Sequence, residues 1–289
     1  MSTAAAVEMR EQLQSDLDAD IIQKLRIPPR PEVVALLHAE ANKDDPSFKR
    51  ITEIIGRDPA LVAALLKAAN SPFFGLNRSV GSIEQALTLM GLSQAMSLVT
   101  GFALRNLVPT KDPLLTRFWD ACARRGAAMA FIAQKSRRCP MDLAHIAGMF
   151  LDVGIPIMAN LHPGYLDTLQ AAGAEMERTA RDVEHGEHGA DHASVGVHLA
   201  LEWNMPDELA WAIELHHDMD ALTDDTLAQA TRALVAAAVV ADELVPETQG
   251  FVHRAPSQES LSRAMKVLRI DEDALFDWRQ EMPKALAGL

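Results

Sequence analysis

The sequence predicts an all-α fold made of two packed helical subdomains. Three observations carry that prediction. Apolar residues make up 48% of the 289 positions but aromatics only 5%, and Ala and Leu abound while Val is plentiful. Helix-start signals recur, at Asp58-Pro59, at Ser82 with Gln85, and at Asp112-Pro113. Each sets a side-chain acceptor where the first helical N–H groups lack partners. No run of alternating β-branched residues reads as a strand.

The elements follow in order. Residues from about Val7 to Lys24 form a weak amphipathic helix, with Leu13, Leu17, Ile21 and Leu25 at roughly helical spacing. Ile27-Pro28-Pro29-Arg30-Pro31 is a stiff connector. Helices are expected over Glu32–Asn42, Ser47–Gly56, Pro59–Asn70, Ile83–Met90 and Ser93–Leu107. In the third, Leu61, Leu65, Leu66 and Ala69 make one buried face. Asn70-Ser71-Pro72 ends it, because proline cannot continue the ladder. Phe73 and Phe74 are expected to anchor the next loop on the core.

Pro109 to Pro113 breaks the pattern and marks a subdomain boundary. A long helix then runs from Leu114 to about Arg137. Further helices are expected over Asp142–Val153, Pro163–Ala172, Glu175–His185, Ala190–Trp203, Pro206–His216, Leu227–Leu244, Gln258–Leu268 and Glu272–Ala287. Gly186-Glu187-His188-Gly189 and Asn204-Met205-Pro206 interrupt two pairs. The expected division is an N-terminal helix over 1–26, an N-terminal helical subdomain over 27–110 and a second helical subdomain over 111–289.

Composition removes several functions. A net charge of −13 argues against nucleic acid or an anionic membrane as main partner. The basic clusters Arg124-Arg125 and Lys135-Ser136-Arg137-Arg138 read as a solvated helix face or a helix C-terminus. Cys122 and Cys139 form neither a disulfide framework nor a metal-type pair. That usage points to a reducing cytoplasm. The N-terminus shows no apolar leader core, and the run Ala233 to Ala241 is too short to span a bilayer.

A motif is more specific than any of this. Asp58-Pro59-Ala60-Leu61 leads through Leu65-Leu66-Lys67-Ala68-Ala69 into Asn70-Ser71-Pro72-Phe73-Phe74-Gly75, then Ser82-Ile83-Glu84-Gln85-Ala86-Leu87 and Met90-Gly91. It resembles the N-terminal half of the HDOD domain, a bacterial output domain related to HD-type phosphohydrolases. Downstream, Asp191-His192-Ala193-Ser194-Val195-Gly196, Trp203-Asn204-Met205-Pro206 and Ala212-Ile213-Glu214-Leu215-His216-His217 resemble the same family. The resemblance runs from about Leu25 to Leu244 and implies that the C-terminal subdomain is similar to the HD-domain helical bundle.

The resemblance also implies a ligand set, and the chain departs from it. HD phosphohydrolases use a His on one helix, a His-Asp pair on a second and a later Asp to hold divalent metal, which activates water and neutralises phosphate. Here the first position is Ala121, within Phe118-Trp119-Asp120-Ala121-Cys122. In Ala147-Gly148-Met149-Phe150-Leu151-Asp152-Val153-Gly154 the His position is Leu151, and only Asp152 remains. The last Asp is Asp242. Cys122, beside the vacant first position, is a poor ligand for Mg²⁺ or Mn²⁺. The His-His pair is followed by Asp218-Met219-Asp220, not the Gly-Tyr-Pro of the related HD-GYP phosphodiesterases.

Three expectations follow. The foremost is a non-catalytic signalling module acting on other signalling or regulatory proteins. Its residual pocket is drawn from Asp152, His188, His192, His216, His217 and Asp242, with no metal, no cofactor and no catalytic residue. The second is a sensor binding a nucleotide messenger in that pocket, with Arg124, Arg125 or Arg178 as its cation. The third is a divergent metal-dependent phosphohydrolase. No receiver-like segment is evident, so input is expected from a separate partner or through the pocket.

Overall fold

The computed structural model describes residues 27–71, 74, 79–107, 112–174, 179–245 and 255–287. The amphipathic segment 7–24, Phe73 and Arg178 lie outside that set. Among the described residues every regular element is helical. The first half contains α1 (Glu32–Ala41), α2 (Phe48–Ile55), α3 (Pro59–Ala69), α4 (Ile83–Met90) and α5 (Leu92–Leu107). The second contains α6 (Pro113–Ser136), α7 (Met141–Phe150), α8 (Gly154–Leu161), α9 (Tyr165–Ala174), α10 (Ala180–His188), α11 (His192–Glu202) and α12 (Asp207–Leu215). A 3₁₀ turn (Met219–Leu222), α13 (Gln229–Leu244), α14 (Gln258–Leu268) and α15 (Glu272–Ala285) complete it.

The start signals act as their chemistry requires. Asp58 accepts from the N–H groups of Ala60 and Leu61 at 2.8 and 3.4 Å. Ser82 accepts from Gln85 N–H, while Gln85 Oε1 accepts from Gly81 N–H at 2.8 Å. Asn70 does more than stop α3. Its amide donates to the carbonyls of Leu66 and Val80, and its Oδ1 accepts from Val80 N–H. One side chain thus ties the end of α3 to Val80, just before α4.

Two apolar clusters form. One joins Leu37, Ile51, Leu61, Leu65, Leu87 and Val99, each worth about 1.5–3 kcal/mol when fully buried. The other runs from Leu104 to Leu286 and holds the second half together. Ser97 Oγ on α5 donates to the carbonyl of Asp142 at the start of α7, at 2.8 Å. The proline connector is stapled to the second half, since Trp203 Nε1 donates to Pro28 O and Arg30 Nη1 donates to Trp203 O, both at 2.9 Å.

Two departures from expectation shape the site. The helix expected over Asp142–Val153 ends at Phe150, turns at 151–153 and restarts as α8. Met141–Leu161 is long and apolar enough for a bilayer span, but 83% of its most apolar window is buried and the turn divides it. Of the helix expected over Glu175–His185, residues 175–178 lie outside the described set, and the helix seen spans Ala180–His188, opened by a Thr179/Asp182 capping box and closed by Gly189 at φ 74°. Gly186 lies inside it.

Candidate functional site

Close backbone approach brings the site helices together. A Cβ on Gly148 of α7 would lie 2.6 Å from Gly126 Cα of α6. A Cβ on Gly154 would lie 2.0 Å from the His192 carbonyl oxygen. Glycine at these two positions lets α6, the 151–153 turn and α11 converge. Asp191 then caps α11 by accepting from Ala193 and Ser194 N–H, which sets His192 as its first residue. Arg181 braces this cap, donating to Asp191 Oδ1 at 2.8 Å and to Glu214 Oε1 at 2.7 Å.

Asp152, 2% exposed, is the hub. Arg125 Nη2 donates to its Oδ2 at 2.6 Å, and Arg125 Nε donates to the Gly148 carbonyl at 3.1 Å. Burial opposes the guanidinium charge, but the carboxylates of Asp152 and Asp242 help to outweigh it and raise the Arg125 pKa. Arg125 therefore stands as a fixed cation, one helical turn beyond Ala121. Leu151 is fully buried in the apolar cluster. Burial pushes the Cys122 thiol up to about 12, so it is no thiolate at neutral pH.

The other side of Asp152 meets imidazoles. His216 Nδ1 donates to the Ile213 carbonyl at 2.6 Å, which turns its Nε2 toward Asp152 Oδ1 at 3.2 Å. His192 Nδ1 faces both oxygens of Glu184 at 2.9 Å. Its Nε2 meets His217 Nε2 at 2.9 Å and Asp152 Oδ1 at 3.6 Å. Glu184, fully buried, also accepts from His192 N–H at 2.8 Å and from the Tyr165 hydroxyl at 2.9 Å. Burial opposes protonation of His192, yet the Glu184 carboxylate, with Asp152 and Asp191, raises its pKa above the ordinary 6.5.

One donor atom each from Asp152, His192, His216 and His217 lies within 4.8 Å of the others. Imidazole and carboxylate suit a divalent first-row ion, and the acceptors behind His192 and His216 orient rings as they do in metal sites. Asp152, however, already has the Arg125 guanidinium as counter-cation. Asp242 enters on that Arg125 side, from α13.

Of the residues the sequence singled out, Asp152, His192, His216 and His217 come together. His188 does not join them. It bonds Thr168 Oγ1 at 2.9 Å and packs against His162 and Tyr165. Arg125 is consumed inside the site, while Arg124 is half-buried beside it on α6. Sequence reasoning missed Glu184 and Tyr165. Nothing local marks them, since Glu184 lies eight residues before His192 and Tyr165 on a different helix.

The sequence profile of the HDOD domain matches residues 27–219. The chain belongs to the HDOD family. This HDOD chain is 24% identical over 194 residues to an uncharacterised protein of Treponema pallidum (strain Nichols), covering 67% of the chain and 38% of that relative. It is 40% identical over 55 residues to YuxH of Bacillus subtilis (strain 168), covering 19% of the chain and 13% of that protein. The HDOD chain thus spans well under half the length of these curated relatives.

Its fold matches an HDOD domain protein of unknown function from Geobacter sulfurreducens, with TM-score 0.70, 20% identity, and 99% and 97% of the two chains covered. It also matches a candidate phosphohydrolase from Shewanella amazonensis SB2B, with TM-score 0.72, 22% identity, and 93% and 96% covered.

Proposed function

We propose that this HDOD chain is a non-catalytic regulatory module that acts by contacting other signalling proteins. The observation that carries this is the buried Arg125–Asp152 pair. A side-chain cation sits on the carboxylate that a phosphohydrolase would use for metal, and Ala121 and Leu151 offer no ligand at the two usual His positions. Hydrolysis needs a mobile metal-bound water and an exposed charge for phosphate. A guanidinium already satisfied by Asp152 and Gly148 supplies neither. The same satisfaction argues against a nucleotide messenger in this pocket, because Arg125 has no reach left for phosphate. The free cysteines Cys122 and Cys139 fit action in the bacterial cytoplasm.

One observation favours a second reading, a divergent metal-dependent phosphohydrolase: the converging donors of Asp152, His192, His216 and His217. A hydrolysis assay separates the two. With Mg²⁺ or Mn²⁺ present, bis-p-nitrophenyl phosphate and cyclic dinucleotides are expected to turn over at the rate without protein. Turnover above that rate, abolished in Asp152→Asn, would establish the second reading instead.

A further inference from the structure

A separate cavity of about 490 Å³ lies where the two apolar clusters meet. Residues of α3 and α5 line one side, and residues of α6 and α7 the other. On α3 the small residues Ala60, Ala64 and Ala68 line it at one-turn spacing, beside Leu61, Leu65 and Lys67. Leu98, Phe102 and Met149 make most of it apolar.

Its polar lining residues differ in exposure. Trp119 and His145 line it and are buried, at 2% and 7% exposed. Trp119 Nε1 and His145 Nδ1 have no hydrogen-bond partner among the described residues. Buried polar groups are nearly always paired, so two such atoms beside one cavity are places for an atom that enters it, from water or from a ligand. Burial pushes His145 down to about 4, which leaves a neutral ring able to accept or donate. Lys67 and Arg105 also line it, and both are exposed. Arg105 also meets Asp120 at 3.3 Å, in an exposed pair that yields readily.

We propose that this cavity binds a small molecule with an apolar body, an anionic group held by Lys67 and Arg105, and a hydroxyl or carbonyl oxygen seated against Trp119 and His145. Such a molecule satisfies the two buried atoms, fills the space beside the alanines, and meets cations only where water can reach them. Buried and exposed polar groups in an otherwise apolar lining set orientation as well as affinity. The site is distinct from the Asp152 cluster and does not depend on how that cluster is read. It shares α6 and α7 with it, which gives bound ligand a route to Arg125 and Gly148.

The probe is 10-hydroxydecanoate, titrated calorimetrically into the full chain at pH 7. Saturable 1:1 binding is expected with a Kd of about 1 mM or tighter for a ligand of that size. Decanoate lacks the oxygen for Trp119 and His145 and 1,10-decanediol lacks the charge, so each is expected to bind about tenfold more weakly. Trp119→Phe should erase the preference over decanoate, and Lys67→Glu with Arg105→Glu the preference over the diol. Ala64→Phe should abolish binding while the melting temperature holds; if that variant does not fold, Ala68→Phe replaces it. Absence of saturable heat, equal affinity for all three probes, or binding that survives a folded cavity-filling variant would each overturn the proposal.

Discussion

His192 and His145 are both buried in one bundle, and their environments drive them in opposite directions. His192 has a carboxylate on one nitrogen and His217 on the other, and its pKa is raised. His145 has an Nδ1 with no partner among the described residues, beside an apolar cavity, and burial alone takes it down to about 4. Burial therefore does not decide the charge of a histidine here. The fully buried Glu184 does, together with the Tyr165 hydroxyl and His192 N–H that hold it in place. The polar site is closed on itself, whereas the cavity is left open at atoms that want partners.

The hardest way to break the polar site is to take away its cation. Arg125→Met should cost roughly 3–5 kcal/mol in urea denaturation, because it strands the buried Asp152 carboxylate. A cost under about 1 kcal/mol would mean that Asp152 is neutral or otherwise paired.

The acid limb comes next. His145 has its folded pKa below the unfolded one, so the unfolded chain takes up the extra proton. Its contribution is intact above about pH 6.5, falls as pH drops, and approaches a loss of roughly 3 kcal/mol near pH 4. Wild type minus His145→Phe stability, followed from pH 7 to 4, should trace that curve; a flat difference would contradict it.

His192 has the opposite sign. With its folded pKa raised, its stabilisation is full below about pH 6.5 and is lost as pH rises through the raised value. Glu184→Gln should lower the His192 pKa, read from its ring-proton NMR titration, and cost about 1–3 kcal/mol at pH 6. An unmoved titration would place the cause elsewhere. The smallest effect is Tyr165→Phe, which removes one donor to Glu184. About 1 kcal/mol is expected from thermal unfolding, and a larger loss would make the hydroxyl a main support of the site.

How far these regions were legible in the sequence differs in the same way. Helix starts were legible because an Asp-Pro or Ser-x-x-Gln signal is local, and Asp58, Ser82 and Asp112 cap as their spacing requires. The break at 151–153 was not, because apolar periodicity continues across it. The cue was Gly154 followed by Pro156, and the reason for that glycine is the His192 carbonyl from a distant helix. In the site, motif residues Asp152, His192, His216 and His217 were legible by resemblance. Glu184, Tyr165 and the pairing of Arg125 are tertiary and carry no local mark. His188 shares helical spacing with His192, yet Gly189 ends α10 between them and turns it toward Thr168.

The proposed function rests on Arg125 as the counter-cation of Asp152. Elemental mass spectrometry of the full chain tests it most directly, on protein purified without chelator or histidine tag and then equilibrated with Mn²⁺, Fe²⁺ or Zn²⁺. Metal well below stoichiometry is expected for wild type, with a gain on Arg125→Met. Stoichiometric metal in wild type that disappears in Asp152→Ala would contradict it.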